Sequence, residues 1–428
     1  MRKVLWVINT LNPSVATEFN YKSSHSISWV EAMADRIKTD SRLKLSIAAP
    51  GNICELQYMR IDSVDYYLVP SKNSYESWSE LIDRVEPDII HIYGTEKEHA
   101  IDVERAAKEI PVLISLQGIL SEYYHHYYAG IDHRTMLRYT PIRDIIRPSG
   151  FFTGKRDFEK RAKIEKKILL QAKYVEGRST WDRVSARNIN PNLKYFYCPR
   201  MIRRPFYESE KWDVNEVERH TIFISQGDYP IKGIHFVFLA VEKLVKKYPD
   251  IRIVVTGNNM FQNVVGVRRL LRTGYQRYLF DLAKKTGVMN YITFVGYKNA
   301  QEMADLLRSV HVAVVPSSIE NAPNSLAEAM LMGTPCIASF VGGNMDMLKH
   351  DEEGFLYCFN EPNMLAEYID RIFSSDMLAE HFSHNAMQTA QKRHDPDLLV
   401  ENLNQIYETI IRKVGADDGH FEEIDKCD

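Results

Sequence analysis

The sequence predicts an α/β protein built from two doubly wound, Rossmann-like domains. Three observations lead there. Short apolar runs alternate with amphipathic stretches through the first half of the chain, and the same alternation restarts after Pro199. The apolar runs are also nearly continuous, as strands buried on both faces of a parallel sheet require. A chain of 428 residues exceeds one ordinary core and suits two or three domains. The expected boundaries are 1–200 and 201–395. Residues 396–428 are expected to form a last helix that packs back on the N-terminal domain, then an acidic tail.

The strands expected in the first domain are "KVLWVIN" (3–9), "LKLSIAAP" (43–50), "DYYLVP" (65–70), "DIIHIYG" (88–94) and "PVLISLQG" (111–118). Helices fall between them, at 26–40 and 74–85, where the apolar spacing turns helical. The second domain repeats the pattern. Strands are expected at 220–227, 251–257, 291–297, 311–317 and 335–340. Helices are expected at 233–249 (stopped by Pro249), 275–288, 300–310, near 345–350, and at 397–413. In such sheets ligands bind outside the carboxyl ends of the strands, and two domains joined near residue 200 would leave a cleft.

Composition narrows the class. The chain is 45% apolar and 26% charged, ordinary for a soluble globular protein. A formal net charge of −3 lacks the basic excess of a nucleic-acid binder. Five scattered cysteines form no CxxC pair, so neither a zinc site nor a disulfide framework is indicated, and reduced cytoplasmic thiols are expected. No apolar run approaches the roughly 18 residues that span a bilayer. The run Val4 to Ile8 is too short for a signal-peptide core and reads as the first buried strand. Residues 134–173 stand apart, with twelve basic and four acidic residues. That segment reads either as a solvated helix face or as a patch for anionic lipid headgroups or an anionic acceptor, at the inner face of the plasma membrane in the lipid case.

The richest stretch is "SSIENAPNSLAEAMLMGTP", Ser317 to Pro335. It follows a buried strand, so Glu320 sits on the ligand side of the sheet. Ser325 and Glu328 match a capping box at the start of a helix that stops at Gly333. A helix amino end at a strand's carboxyl edge is an anion site suited to a diphosphate. Lys232, in "GDYPIKG", lies in another strand-to-helix loop of the same domain and can neutralise phosphate. Gly342 and Gly343, in "VGGNMD", let backbone approach a ligand. The blander readings are that Glu328 only completes the cap and that Glu320 is a solvated loop carboxylate.

The order Lys232-Gly233, "TGNN", "ITFVGY", Glu320 with Glu328 eight residues on, "GTP" and "VGG" resembles glycosyltransferase family 4. The likeness covers residues 220–373 and extends loosely to "PDIIHIYGTE" and "GRSTWD" in the first half, as in enzymes that build bacterial surface polysaccharides. The resemblance implies the GT-B fold and retention of anomeric configuration, with a nucleotide-sugar donor and a saccharide or lipid-linked acceptor. It implies that Glu328 binds the ribose hydroxyls and Glu320 the donor sugar. Lys232 and the backbone of Asn321, Ala322, Pro323, Asn324 and Ser325 would hold the diphosphate. The base would lie near Phe294, Val295 and Gly296, with Gly257 close by. The departing diphosphate would help to deprotonate the incoming hydroxyl, and neither metal nor cofactor is implied.

The sequence departs from the family in places. Asn321-Ala322-Pro323 stands where Gly-Phe-Gly is common, and Gly227 where an arginine precedes the lysine. Arg178 is the candidate to supply that phosphate contact. Gln117 replaces a common histidine, and "SSHSISW" replaces a Gly-Gly loop, so Ser26 or Ser28 would approach the phosphate. Acceptor-side candidates are His91, Glu96, Gln117 and Gly118. His91 reads equally as a core histidine, Thr95 as a helix cap, and "YYHHYY" (123–128) as a sugar platform or a packed helix. "GFFTGKR" is one residue short of a P-loop, and Asp395-Pro396-Asp397 reads as a cap rather than a metal-binding pair. Two rival functions stay open. One is a catalytically silent nucleotide-sugar scaffold; the other is a sugar-nucleotide epimerase or glucan synthase on the same fold.

Overall fold

The structure is a computed structural model that describes residues 1–23, 28–145, 150–262 and 272–414. The chain forms two compact units. The first holds Met1–Ser121, Arg161–Arg203 and the chain from His394 onward; the second holds Glu122–Lys160 and Arg204–Arg393.

The first unit is built on eight strands among the described residues: β1 Arg2–Val7, β2 Leu43–Gly51, β3 Gln57–Ile61, β4 Val64–Pro70, β5 Ile89–Tyr93, β6 Val112–Ser115, β7 Tyr174–Gly177 and β8 Lys194–Tyr197. They form one sheet in the order β3-β4-β2-β1-β5-β6-β7-β8. Every neighbour pairs parallel except β3, which runs antiparallel to β4 at the edge. Pleating divides β1 between two cores. Val4, Trp6 and Ile8 face one, and Leu5 and Val7 the other. The first core is closed by the helix Pro396–Val414, through Leu399, Leu403, Ile406, Tyr407 and Ile410. Asp395 caps that helix by accepting from the backbone N–H of Asp397 and Leu398, each at 2.9 Å.

The second unit carries six strands among the described residues: β9 Glu218–Ile224, β10 Arg252–Val255, β11 Ile292–Phe294, β12 Val310–Val315, β13 Cys336–Ser339 and β14 Gly354–Tyr357. Their order is β11-β10-β9-β12-β13-β14, all parallel. Strand β12 is buried throughout, as its run of Val, His and Ala requires.

Several details differ from the sequence reading. Strands β3, β7, β8 and β14, each of four or five residues, lie outside the strands expected from the sequence. The helix expected to reach Pro249 ends at Leu244, and Pro249 limits only how far the turns beyond it can run. The turn after it is closed by Tyr248 N–H on Leu244 O at 2.9 Å. The helix expected near 345–350 is a 3₁₀ turn over Gly342–Asp346. Residues 122–160, read with the first domain, pack in the second unit. There Ile131, Met136 and Phe151 enter the core, and the Asp144 carboxylate accepts from Gly274 N–H at 2.6 Å. Among the described residues, no helix is long and apolar enough to cross a membrane.

Candidate functional site

In the second sheet β9 lies between β10 and β12. The chain therefore leaves β9 in one direction and returns on its other side at β12. Loops at such a switch point diverge and leave a crevice at the carboxyl edge. The loop after β9 ends in a turn, Pro230–Lys232, followed by Gly233 at φ +67°. A Cβ on Gly233 would lie 1.9 Å from the Pro316 carbonyl oxygen, so only glycine lets the loops after β9 and β12 approach this closely. Ser318 N–H donates to Ile231 O at 2.8 Å and fastens them together.

That contact brings Lys232 onto Glu320, with Nζ to Oε1 at 2.6 Å. Ser317 Oγ donates to the same carboxylate oxygen at 2.8 Å. Ser339 Oγ in turn donates to Ser317 O at 2.5 Å, and Asn344 Nδ2 to Ser339 O at 2.9 Å. The loop after β13 closes the third side. Gly343 N–H donates to Glu320 O at 3.0 Å, and a Cβ on Gly342 would lie 1.9 Å from that oxygen. Glu320 is 7% exposed, so it is no solvated loop carboxylate. Burial opposes the charge on Lys232, but the Glu320 carboxylate and the Tyr229 hydroxyl more than offset it and hold the ammonium above its usual range. The lysine is thus a permanent cation at the crevice.

The helix after Glu320 spans Asn324–Met332 and ends at Gly333 in the left-handed region. Its N-cap is Pro323, with no side-chain cap, so the capping box expected from Ser325 and Glu328 is absent. The extended Pro323 starts the helix two residues earlier and places Ser325 inside the first turn. The polarised N–H groups of that turn sit beside the Glu320 loop, where a phosphate group would be stabilised. Asn321, Ala322 and Pro323 are buried, while Asn324 and Ser325 are half-buried. Glu328 is 9% exposed one turn inside the helix.

On the other side of β9, Gly257 at φ +88° donates its N–H to Gly296 O at 2.9 Å. Gly296, at φ +75°, borders open space. Phe294 stands edge-on to Phe261, with ring centroids 5.2 Å apart. The sequence reading missed Asp228. Its Oδ2 accepts from Asn258 Nδ2 at 3.2 Å while its enclosed Oδ1 has no partner, and burial pushes its pKa up. An acidic residue just after Gly227 was the available signal.

The first unit holds the remaining candidates. His91 is fully buried on the central strand β5, with Nδ1 2.7 Å from Tyr407 Oη and Nε2 3.5 Å from Glu176. Burial, and then Arg200, lowers its pKa to about 3. It is a core histidine and not an acceptor-side group. Glu96 accepts from Asn9 Nδ2 at 2.6 Å and Thr95 N–H at 2.9 Å. Thr95 caps no helix, since its hydroxyl donates to Glu165 at 3.0 Å. Gln117 Nε2 donates to Tyr93 O at 3.2 Å, and Gly118 follows it, half-buried. Arg178 belongs to this unit, where its Nη2 donates to Gln117 O at 2.7 Å. Ser26 and the side chain of Ser28 lie outside the described residues. Within "YYHHYY", Tyr124–His126 is a 3₁₀ turn in the second unit, and Tyr127 packs on Phe158. "GKRD" is part of the long helix Phe151–Gln171 and forms no phosphate loop.

Residues 207–389 match the family Glycosyl transferases group 1. The chain is 26% identical over 202 residues to an uncharacterized glycosyltransferase of Methanocaldococcus jannaschii, covering 47% of this chain and 48% of the relative. It is 23% identical over 182 residues to the capsular polysaccharide biosynthesis glycosyltransferase CapM of Staphylococcus aureus, covering 42% and 44%. The chain thus spans about half the length of these curated relatives. The crystal structure of Anabaena HepE in complex with UDP-glucose superposes with a TM-score of 0.65 at 14% identity, over 96% of this chain and 100% of that one. The fold is GT-B, two Rossmann-like parallel-sheet units.

Proposed function

We propose that the chain is a family 4 glycosyltransferase. It moves a hexose from a nucleotide-sugar donor to a saccharide or lipid-linked acceptor in surface polysaccharide synthesis, with retention of configuration. One observation carries this reading: the Lys232–Glu320 ion pair, with the lysine half-buried and the glutamate buried, at the switch point of the second sheet, beside the amino end of the helix Asn324–Met332. Lys232 and the first-turn N–H groups stabilise negative charge as it grows on the departing diphosphate. Glu320 aligns the donor sugar, and Glu328 takes the ribose hydroxyls. The diphosphate itself accepts the acceptor's proton, so no protein nucleophile is needed. The likeness to glycosyltransferases, one of them for capsular polysaccharide, supports the substrate class.

The test is thermal unfolding of the full chain against a panel of nucleotide sugars. A ligand that binds the folded state raises the midpoint by mass action. The expected result is a shift with one nucleotide class that Glu328→Ala weakens, and donor turnover about 10²–10³-fold lower in Lys232→Ala. No shift, or an equal shift in wild type and Glu328→Ala, overturns the donor site. Gly227 favours a second reading, a silent nucleotide-sugar scaffold, since glycine stands where an arginine is common in the resembled family; binding without turnover would select it. The exposed Lys163, Lys166 and Lys167 support docking on an anionic membrane. Reversing all three charges should abolish salt-sensitive binding to anionic liposomes, and unchanged binding rejects that part.

A further inference from the structure

The aromatic run "YYHHYY" (123–128) belongs to the second unit, and four of its rings pack on neighbours. Tyr124 and His125 lie ring on ring, with centroids 3.9 Å apart. Tyr127 meets Phe158 at 5.2 Å, and Lys155 Nζ stands 4.7 Å from the centre of the Tyr128 ring. These four side chains therefore make a poor platform for a sugar. Tyr123 is placed differently, because of how the run is fastened. Ser318 Oγ donates to His126 O at 3.0 Å, and His235 Nε2 donates to Ala129 O at 3.0 Å. Ser318 is fully buried, and its N–H also holds Ile231 O at 2.8 Å. Ile231 precedes Lys232, and Ser318 stands two residues before Glu320. One serine thus ties the aromatic run to both loops that carry the Lys232–Glu320 pair.

The fastened turn, Tyr124–His126, follows directly on Tyr123, which is half-buried. Burial opposes the charge on Lys232, while Glu320, Tyr229 and also Tyr123 act on it through their charges. Such an influence requires the Tyr123 phenol to stand near the ammonium. Lys232 has three N–H donors, and one goes to Glu320 at 2.6 Å. A diphosphate at this ammonium would meet the phenol as a second donor, supplied by a different segment of the same unit. Donors fixed in place before reaction are what stabilise charge growing on a leaving group.

We propose that Tyr123 is a donor-site residue whose hydroxyl donates to the diphosphate departing beside Lys232, and that Ser318 is a positioning residue that holds it there. This rests on the proposed function, which puts the diphosphate at Lys232.

Steady-state donor turnover and thermal unfolding of the full chain test it, with UDP, GDP, ADP and dTDP and their glucose derivatives as probes. Tyr123→Phe keeps the ring and removes only the hydroxyl. Its kcat should fall about 10- to 100-fold with KM nearly unchanged, the mark of a contact that matters in the transition state. Its midpoint without ligand should equal that of wild type. Ser318→Ala should lower kcat by a smaller factor. Because Ser318 acts through Tyr123, adding Ser318→Ala to Tyr123→Phe should lower kcat no further. Multiplying factors in the double variant would overturn the positioning role. If wild type binds and turns over a donor and Tyr123→Phe matches it, the Tyr123 role is overturned and the donor site stands. A kcat that falls only together with the midpoint also overturns it, since that is a packing role. Binding without turnover in wild type selects the silent scaffold and overturns a part for Tyr123 in catalysis. No midpoint shift and no turnover in wild type with any probe overturns the donor reading, and this role with it.

Discussion

Glycines at two positions of the second unit have the same backbone conformation and different surroundings. Gly233 and Gly296 lie at φ +67° and +75°. A methyl on Gly296 meets open space, whereas one on Gly233 would lie 1.9 Å from the Pro316 carbonyl oxygen. Gly296→Ala should cost only the left-handed backbone penalty, about 1–2 kcal/mol. That is a few degrees of midpoint for a unit of this size. Gly233→Ala carries the same penalty and must also part the loops after β9 and β12, which carry Lys232 and Glu320. It should lower the midpoint further and remove donor turnover. Thermal unfolding and turnover, measured on both variants, check this. Equal midpoints for the two would contradict the close approach.

The long helix Phe151–Gln171 carries most of the basic segment, yet its structural role rests on an acid. Glu165 is fully buried and accepts from Leu120 N–H, Ser121 N–H, Ser121 Oγ and Thr95 Oγ1 at 2.9–3.0 Å. Burial raises its pKa, and these four donors hold it down in part. The carboxylate therefore ties the helix to the chain that leaves β5 and β6. Glu165→Ala leaves buried donors without an acceptor and should destabilise the first unit by about 3 kcal/mol. Chemical denaturation is the measurement, and a loss below about 1 kcal/mol would mean that water replaces the carboxylate.

Across the whole molecule, buried ionisable groups set how stability depends on pH. Burial is the first cause of many shifts, and six of them reach across the acid and neutral range. It lowers His91 to about 3 and His99, His235 and His311 to about 4. It raises Glu104 to about 8 and Glu176 to about 7. Each histidine contributes stability that is present above its unfolded pKa near 6.5 and is lost as pH falls toward 3–4. Each glutamate contributes stability that is present below its unfolded pKa near 4.5 and is lost as pH rises toward 7–8. Between about pH 6.5 and 4.5 the four histidines outnumber the two glutamates, so acidification destabilises. Above pH 6.5 these four histidines no longer contribute a slope while the two glutamates still do, so stability declines there too. The midpoint of thermal unfolding should therefore peak near pH 6.5, and a midpoint that rises steadily from pH 6.5 to 8.5 would contradict these burials.

Features that depend on local pattern can be read directly from the residues. Continuous apolar runs between amphipathic helices specify parallel strands covered on both faces, and Ser74–Val85 forms where its spacing puts it. The positions of Lys232, Glu320 and the helix beginning near Ser325 were legible because loops at strand ends carry the chemistry of such sheets. Features that depend on partners far along the chain emerge with folding. Lys232 and Glu320 meet across 88 residues, and His91 is sealed in the core by Tyr407, 316 residues away. The capping box at Ser325 fails because Pro323 takes the cap position. Residues 122–160 carry apolar groups that suit either core, and the hydrogen bonds of His235 with Ala129 O and of Gly274 with Asp144 place them in the second unit. Periodicity reports which face of an element is buried. Which surface buries it is settled by packing between segments distant in sequence, and that information is in no short window of the chain.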